Sequence, residues 1–168
     1  GGDDAYGFGL FPGQYGMVVY SKYPIDTRKV RTFQQLKWQS MPGNRMPTDY
    51  YTPEQAAQLR LSSKSHWDVP VRVGHKTVHV LAAHPTPPSF DGPEDRNGRR
   101  NHDEAAFWLN RLPPGRFVLI GDANLDPVDG DGRPQALRAL IAATQDPKPA
   151  SEGAAQAPQT GANARHTG

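Results

Sequence analysis

Alternating apolar and polar residues in the middle of the chain predict a β-hairpin. Residues 67–73 read WDVPVRV and place a valine at every second position, which is typical of a strand with one buried face. Gly74 can turn the chain, and residues 77–83, TVHVLAA, return along the first strand. Pro70 has no backbone N–H and favours an edge position for the first strand. The second strand is apolar from Val78 onward, so we expect it to be buried on both faces.

Two further apolar runs predict strands outside this hairpin. Residues 17–22, MVVYSK, are one candidate, which Pro24 ends. Residues 117–121, FVLIG, are the other, and their unbroken apolar character predicts a buried strand.

Three segments carry the spacing and end signals of helices. At residues 53–60, Thr52 can cap the helix, Pro53 suits its first position and Gln55 completes a capping box. Residues 100–111 predict a second helix, because their apolar side chains share one face. Those side chains are Ala105, Trp108, Leu109 and Leu112. Residues 134–142 predict a third, short helix.

The order of these elements predicts a mixed α/β (α+β) fold in which helices pack on sheets. A length of 168 residues suits one domain. Residues 143–168 contain mostly small and polar residues with little to bury, so we expect loop or disorder there.

The composition narrows the function only slightly. The chain has 19 basic and 17 acidic residues, and its formal charge of +2 is compatible with phosphate-bearing partners. The absence of cysteine excludes disulfides, thiolate metal sites and a cysteine nucleophile. No apolar run approaches the ~20 residues of a membrane span, and no signal peptide is visible. The oligomeric state cannot be read from the sequence.

The strand predicted at residues 117–121 leads into side chains suited to phosphate chemistry. Asp122 and Asn124 follow it, and residues two apart point the same way where an extended path continues. A carboxylate can accept a proton from water or hold a hard cation, and an amide can donate to a charged oxygen. The alternative is an Asp–Asn turn whose side chains bond the backbone, and the pattern alone favours that alternative.

His84 ends the strand predicted at residues 77–83, and Pro85 stops further pairing. An imidazole there could protonate a leaving group or donate a hydrogen bond to a phosphoryl oxygen. For a single histidine, a loop position bonded to a backbone carbonyl is the commoner outcome. The case for a site is stronger because a second strand ends in Asp122, and functional groups are often held at the ends of rigid strands.

A charged stretch, DGPEDRNGRRNHDE, covers residues 91–104. Arg96, Arg99 and Arg100 could bind phosphate in bidentate fashion, and Arg96, Arg100 and Asn101 are the candidate substrate-binding residues. Residues 101–104 are expected in the first helical turn, where the helix dipole favours acidic side chains. Capping and a solvated charged face therefore explain the acids, but they do not explain the arginines.

Three more aspartates follow Asn124. They are Asp126, Asp129 and Asp131. DGDG matches part of a calcium-binding loop, but the further ligands at fixed spacing are absent, so a solvated turn is favoured. Asp122 and Asp126 are the candidate metal ligands.

Four blocks, in order along the chain, resemble the endonuclease/exonuclease/phosphatase superfamily, the deoxyribonuclease I-like proteins. The blocks are GQYGMVVYSKYPI, SKSHWDVPV, HVLAAHPTPPSFDGPEDRNGRRNHDEAAFW and FVLIGDANLDPVDGDG. The HPTPP and GDANLDPVDGDG motifs are the specific ones. The chain is most similar to a bacterial, phytase-like branch whose members are often exported, so export to the periplasm or outside the cell is an expectation from the resemblance alone.

The resemblance implies a four-layer fold of two packed β-sheets flanked by helices. It implies hydrolysis of a phosphate ester by water, assisted by a divalent cation that is usually Mg²⁺ or Mn²⁺, with Ca²⁺ as a further option. The substrate would be a phosphorylated small molecule or a nucleic acid. Asp122 matches the aspartate that orients or deprotonates the water, Asn124 matches the asparagine that steadies the phosphoryl oxygens, and His84 lies where related nucleases face the phosphate.

Other features of the resembling family have no counterpart in the 168 residues. These are an early strand bearing a metal-binding Glu and a late strand bearing an Asp–His pair. We therefore expect the chain to be the middle of one domain and nearly inactive by itself. Two alternatives stay open: a non-catalytic protein that binds phosphate or nucleic acid on this scaffold, and a fragment that does not fold independently.

Overall fold

The structure is a computed structural model that describes residues 10–11 and 13–148. Within these ranges, four strands and three helices follow one another. They are β1 (Arg31–Thr32), α1 (Pro53–Gln58), β2 (His66–Val73), β3 (Lys76–Ala83), α2 (Arg96–Leu109), β4 (Phe117–Ile120) and α3 (Gln135–Ala142), with 3₁₀ turns at Thr27–Lys29 and Trp38–Ser40.

The strands form one sheet in the order β1-β2-β3-β4. β2 and β3 are the predicted hairpin, with His66 opposite Ala83 at one end and Val73 opposite Lys76 at the other. Gly74 lies in the two-residue turn at φ 61°, a conformation that other residues avoid. β4 runs parallel to β3, because α2 carries the chain back between them. The mixed α/β class is therefore confirmed.

One face of the sheet, the helix-side face, packs against α2 and α3. The parallel register of β3 and β4 places alternate residues of both strands on this side. These residues pack against aromatic and aliphatic residues of the two helices. The main contributors are Leu81, Ala83, Phe117, Leu119, Ala105, Phe107, Trp108, Ala136 and Leu140. The apolar helix face predicted from the sequence is confirmed.

The other face, the open face, is apolar but only partly covered. Its apolar residues include Val69, Val71, Val73, Val78, Val80, Ala82, Val118 and Ile120. Val118 is 46% exposed and Ile120 is 60% exposed, so the prediction of a wholly buried strand at residues 117–121 was wrong for this side. The described residues form a single sheet, whereas the resemblance implies two packed sheets.

The strand predicted at residues 17–22 is absent. That segment has no regular secondary structure, and its side chains alternate in burial, with Met17 and Val19 half-buried and Val18 and Tyr20 exposed. It lines a cavity together with the open face, so it lies across the sheet rather than beside a strand. Without a neighbouring strand in the described chain it gains no ladder of backbone hydrogen bonds.

Helix α2 begins four residues earlier than predicted. The carboxylate of Asp91 accepts hydrogen bonds from the backbone N–H groups of Asn97 (2.6 Å) and Gly98 (3.4 Å), so the cap comes from the preceding loop. Residues 101–104 consequently lie in the middle of the helix, where they are buried. The prediction that they form a solvated first turn was wrong.

The first and third helices match the sequence closely. In α1 the Thr52 hydroxyl accepts from the Gln55 N–H and the Gln55 side chain accepts from the Thr52 N–H, which confirms the capping box. α1 ends at Gln58, two residues before the predicted end. Residues 143–148 have no regular helix or strand, and the rest of the predicted loop, residues 149–168, lies outside the described residues. No helix in the described ranges is long and apolar enough to cross a membrane.

Candidate functional site at the strand ends

The parallel pairing of β3 and β4 brings two predicted site residues together. Ala82 lies opposite Ile120, and two residues further along each strand come His84 and Asp122. The His84 Nε2 atom is 3.7 Å from the Asp122 Oδ2 atom. Both side chains reach the surface, with 36% of His84 and 63% of Asp122 exposed. The structure therefore places an imidazole and a carboxylate side by side at one edge of the sheet.

Gly121 makes this close approach possible. Its backbone has φ 139°, and a Cβ atom built there would overlap the carbonyl oxygen of Ala83. Only glycine fits a position where backbone meets backbone this closely. The chain can therefore leave β4 directly against the end of β3, which sets the distance between His84 and Asp122.

The segment after Gly121 turns instead of continuing as an extended strand. The Asn124 N–H donates to Asp122 Oδ1 (2.7 Å), and Asn124 has φ 52° in the left-handed region. The expectation that Asp122 and Asn124 share one face of an extended path was wrong, because the side chain of Asp122 forms the alternative turn. The two residues still converge on the site, since Asn124 Nδ2 donates to the carbonyl oxygen of Pro85 (3.0 Å) next to His84.

A buried polar pair on α2 holds the loops beneath the site. The Asn101 Nδ2 group donates to the carbonyl oxygens of Thr86 (2.8 Å) and Ala123 (2.9 Å), which lie beyond β3 and β4 respectively. The Glu104 carboxylate accepts from the N–H groups of Ser63 (3.1 Å) and Thr86 (2.6 Å). Burial raises the pKa of Glu104, although these hydrogen bonds oppose the change. α2 thus ties three loops together.

Reasoning from the sequence missed Glu104 as a supporting residue. Asn101 and Glu104 are three residues apart and share one helix face. With the helix start placed at Arg100, both appeared to belong to an exposed first turn. A helix start at Arg96 would have shown two polar side chains on the same face as Ala105 and Trp108, which is the signal that could have identified them.

Lys64 is a second residue that the sequence did not single out. It is half-buried between buried Ser63 and Ser65, just before β2. Burial lowers the pKa of its ammonium, whereas the charges of Glu104 and Asp122 raise it. Burial also lowers the pKa of His84, with a further contribution from the Lys64 charge, while Asp122 opposes both. The His84 imidazole is therefore mainly neutral at neutral pH.

The predicted substrate-binding residues have structural partners instead. Arg96 pairs with Glu94, and Arg99 donates to a backbone carbonyl (3.4 Å). Arg100 is buried, with its guanidinium 4.8 Å from the centre of the Trp38 ring, and burial lowers its pKa. Together with the two hydrogen bonds of Asn101, these contacts show that the side chains of this group are engaged in holding the fold, and their role in substrate binding stays a prediction.

Asp126 forms a turn, as the sequence favoured. Its Oδ1 atom accepts from the N–H groups of Val128 (2.6 Å) and Asp129 (2.9 Å). Among the described residues, no group of three or more His, Asp or Glu side chains could hold a metal ion. Among the residues that the structure describes, Asp122 is the carboxylate paired with His84, and its Oδ1 atom is engaged in the turn. The described residues therefore do not fit a complete metal site.

Two cavities flank the strand ends. One, of about 560 Å³, lies between the open face and residues 16–21, and His84, Gly121 and Asp122 line its end. The other, of about 1010 Å³, lies on the helix side and is mainly apolar, with Trp108 and Leu140 in its wall. His84 and Asp122 do not line the second cavity, so the site opens towards the open face.

Comparison with known protein families gives one match, to the Endonuclease/Exonuclease/phosphatase family, over residues 1–168. The chain belongs to this family. No curated protein and no solved structure matches it. Family members hydrolyse phosphoesters, generally with divalent metal ions, and the four-stranded sheet with three helices is consistent with their deoxyribonuclease I-like fold. Membership of a bacterial phytase-like branch stays a prediction.

Proposed function

We propose that the edge carrying His84, Asp122 and Asn124 is the phosphate-reacting part of a phosphoester hydrolase. The observation that carries the proposal is the 3.7 Å approach of the imidazole to the carboxylate at the ends of two parallel strands. The close packing at Gly121 and the bonds from α2 support both loops, so the two groups belong to a rigid scaffold rather than to free loops.

Asp122 is proposed as the group that orients and deprotonates the attacking water. Its Oδ1 atom is fixed by the Asn124 N–H, which leaves Oδ2 directed towards His84 and solvent. A carboxylate held in this way can accept a proton from a water that attacks the phosphorus atom.

His84 is proposed as a hydrogen-bond donor to a phosphoryl oxygen. The sequence left open whether it would instead protonate the leaving group. Because its pKa is lowered, the imidazole is mainly neutral and carries one N–H, which suits donation better than acid catalysis at neutral pH. One N–H of the Asn124 amide bonds to Pro85, and the other can donate to the same phosphoryl group.

Mg²⁺ or Mn²⁺ is the cofactor that we propose, with Ca²⁺ as the alternative. Asp122 can supply one oxygen ligand, and Asp126 as a further ligand is a prediction. Since the described residues contain no group of three ligand side chains, we propose that this chain by itself hydrolyses phosphoesters very slowly. The proposed substrate is a phosphorylated small molecule or a nucleic acid, and the proposed location is outside the cytoplasm.

The approach of the His84 imidazole to the Asp122 carboxylate also favours a second candidate, a protein that binds phosphate or nucleic acid without hydrolysing it. A neutral imidazole, an amide and a nearby ammonium are sufficient for binding an anion, whereas hydrolysis in this family generally requires the cation. Nucleic-acid binding of this kind would weaken steeply with salt.

Hydrolysis of bis-p-nitrophenyl phosphate with Mg²⁺ or Mn²⁺ tests the proposal, in the 168-residue chain and in the product of its whole open reading frame. In the protein that shows turnover, we expect Asp122→Asn to lower kcat/KM by about 10²–10⁴-fold, the contribution of a general base. Asp49→Asn, at an exposed carboxylate in the loop before α1, should change kcat/KM less than about twofold.

Turnover that survives Asp122→Asn would contradict the assignment of Asp122 as the group that deprotonates water. Robust turnover by the 168-residue chain would contradict its proposed slowness, and binding without turnover in both proteins would favour the second candidate.

A further inference from the structure

We propose that Lys64 is a phosphate-binding residue of this site, which gives the hydrolase a protein-borne cation beside His84 and Asp122. The inference rests on the proposed function, because it assigns a further contact to the same bound phosphate. Three kinds of observation carry it: the backbone anchoring of Lys64, the surroundings of its ammonium and the set of groups around it.

The backbone before β2 is held at the same sheet edge as His84. Ser63 and Thr86 donate their N–H groups to the two oxygens of one buried carboxylate, that of Glu104. His66 opposite Ala83 is the last pair of the hairpin at this end, so the residues just outside the pair lie next to each other. Lys64 therefore stands beside the chain that carries His84, and its position is set by buried hydrogen bonds.

Among the described residues, no carboxylate forms a salt bridge with the ammonium of Lys64. In the described chain no hydrogen bond or salt bridge engages it, although the charges of Glu104 and Asp122 act on it from a distance. The side chain is nevertheless half-buried, and a partly desolvated cation without a partner costs free energy. A bound phosphoryl oxygen would supply the missing partner. A lysine with a purely structural role would not need such a partner.

The groups around Lys64 complete a phosphate site. His84 and Asn124 offer neutral donors, and Asp122 is the carboxylate for water. These three side chains do not provide the positive charge that would neutralise a phosphoryl oxygen. The arginines of α2 do not provide it either, because Arg96 and Arg100 are engaged with Glu94 and Trp38. Lys64 is the cation whose charge acts on both His84 and Asp122.

Calorimetric titration with inorganic phosphate tests the proposal in four proteins. Compared with the wild type, Lys64→Gln should weaken binding by roughly tenfold to a hundredfold, the loss of one hydrogen bond to a charged group. Lys64→Arg should retain most of the affinity because it keeps the charge. Lys76→Gln removes an exposed lysine at the hairpin turn and should change affinity less than about twofold. Equal affinity in the wild type and a folded Lys64→Gln would overturn the proposal.

A measurement on the wild type covers the case in which Lys64→Gln does not fold. The ¹⁵N signals of the lysine ammonium groups are followed as phosphate is added, and the Lys64 signal should shift most. Phosphate that shifts the His84 and Asp122 signals but leaves Lys64 unchanged would overturn the role of Lys64 and leave the proposed function intact. An absence of phosphate binding in the wild type would overturn both.

Discussion

The pH dependence of stability should report the burial of His66, the first residue of β2. Its ring packs against Phe107 and Trp108, and its Nε2–H donates to the backbone carbonyl of Glu104 (3.0 Å). Burial lowers its pKa from 6.5 to about 4; the bond to Glu104 opposes this change, and the charge of Arg111 adds to it. At about 1.4 kcal/mol for each pKa unit, this shift makes the folded chain about 3 kcal/mol more stable at neutral pH than at about pH 4.

The direction follows from proton binding. Between pH 6.5 and about 4 the unfolded chain protonates His66 and the folded chain does not, so stability is present above pH 6.5 and is lost as the pH falls towards 4. Glu104 acts in the opposite direction, because its raised pKa makes stability fall as the pH rises above its ordinary value of 4.5. The wild-type curve is therefore a composite, and a variant is needed to isolate the histidine.

Urea denaturation of the wild type and of His66→Gln, at several values between pH 4 and 7, provides the assay. Glutamine keeps an N–H donor but does not titrate, so the stability difference between the two proteins should change by about 3 kcal/mol over this range. His75→Gln, at an exposed histidine in the hairpin turn, is the control. Its stability difference from the wild type should change by less than about 0.5 kcal/mol over the same pH range. If His66→Gln lost as much stability as the wild type between pH 7 and 4, the reasoning would be refuted.

Two further substitutions test the support of the site. Gly121→Ala should destabilise the chain by about 1–3 kcal/mol more than Gly115→Ala, because both glycines have positive φ but only Gly121 is crowded; equal losses in urea denaturation would contradict this packing. Glu104→Gln should cost about 1–3 kcal/mol and accelerate hydrogen exchange at Ser63 or Thr86, since the glutamine amide keeps only one acceptor oxygen for the two N–H donors. Unchanged exchange at both amides would contradict the role of the Glu104 carboxylate in holding the two loops.

Features set by neighbouring residues were predictable from the sequence. The valine alternation from Val69 to Val73 gave the hairpin, and Thr52 with Gln55 gave the start of α1, because each signal acts within a few residues. The start of α2 was mistaken because its cap, Asp91, lies in a loop several residues upstream. The segment at residues 17–22 has the composition of a strand, but only tertiary packing decides whether another strand is beside it.

The same distinction between local signals and distant contacts applies to the residues of the candidate site. His84 and Asp122 could be predicted, because each directly follows an apolar strand and carries chemistry suited to phosphate. Their supports could not be predicted, since the bonds of Asn101 and Glu104 join loops far apart in sequence. Lys64 gave no local signal, because its significance depends on which groups the folded chain places around its ammonium.

Mapping of phosphate binding by NMR tests the central claim most directly, that the joined ends of β3 and β4 form the phosphate site. Inorganic phosphate is added to ¹⁵N-labelled protein, and the shifts of all backbone amides are recorded. The largest shifts should lie at His84, Asp122 and Asn124, and His84→Ala should reduce them. Binding that instead shifts the N-terminal half of α2, around Arg96, and leaves these three residues unchanged would contradict the claim.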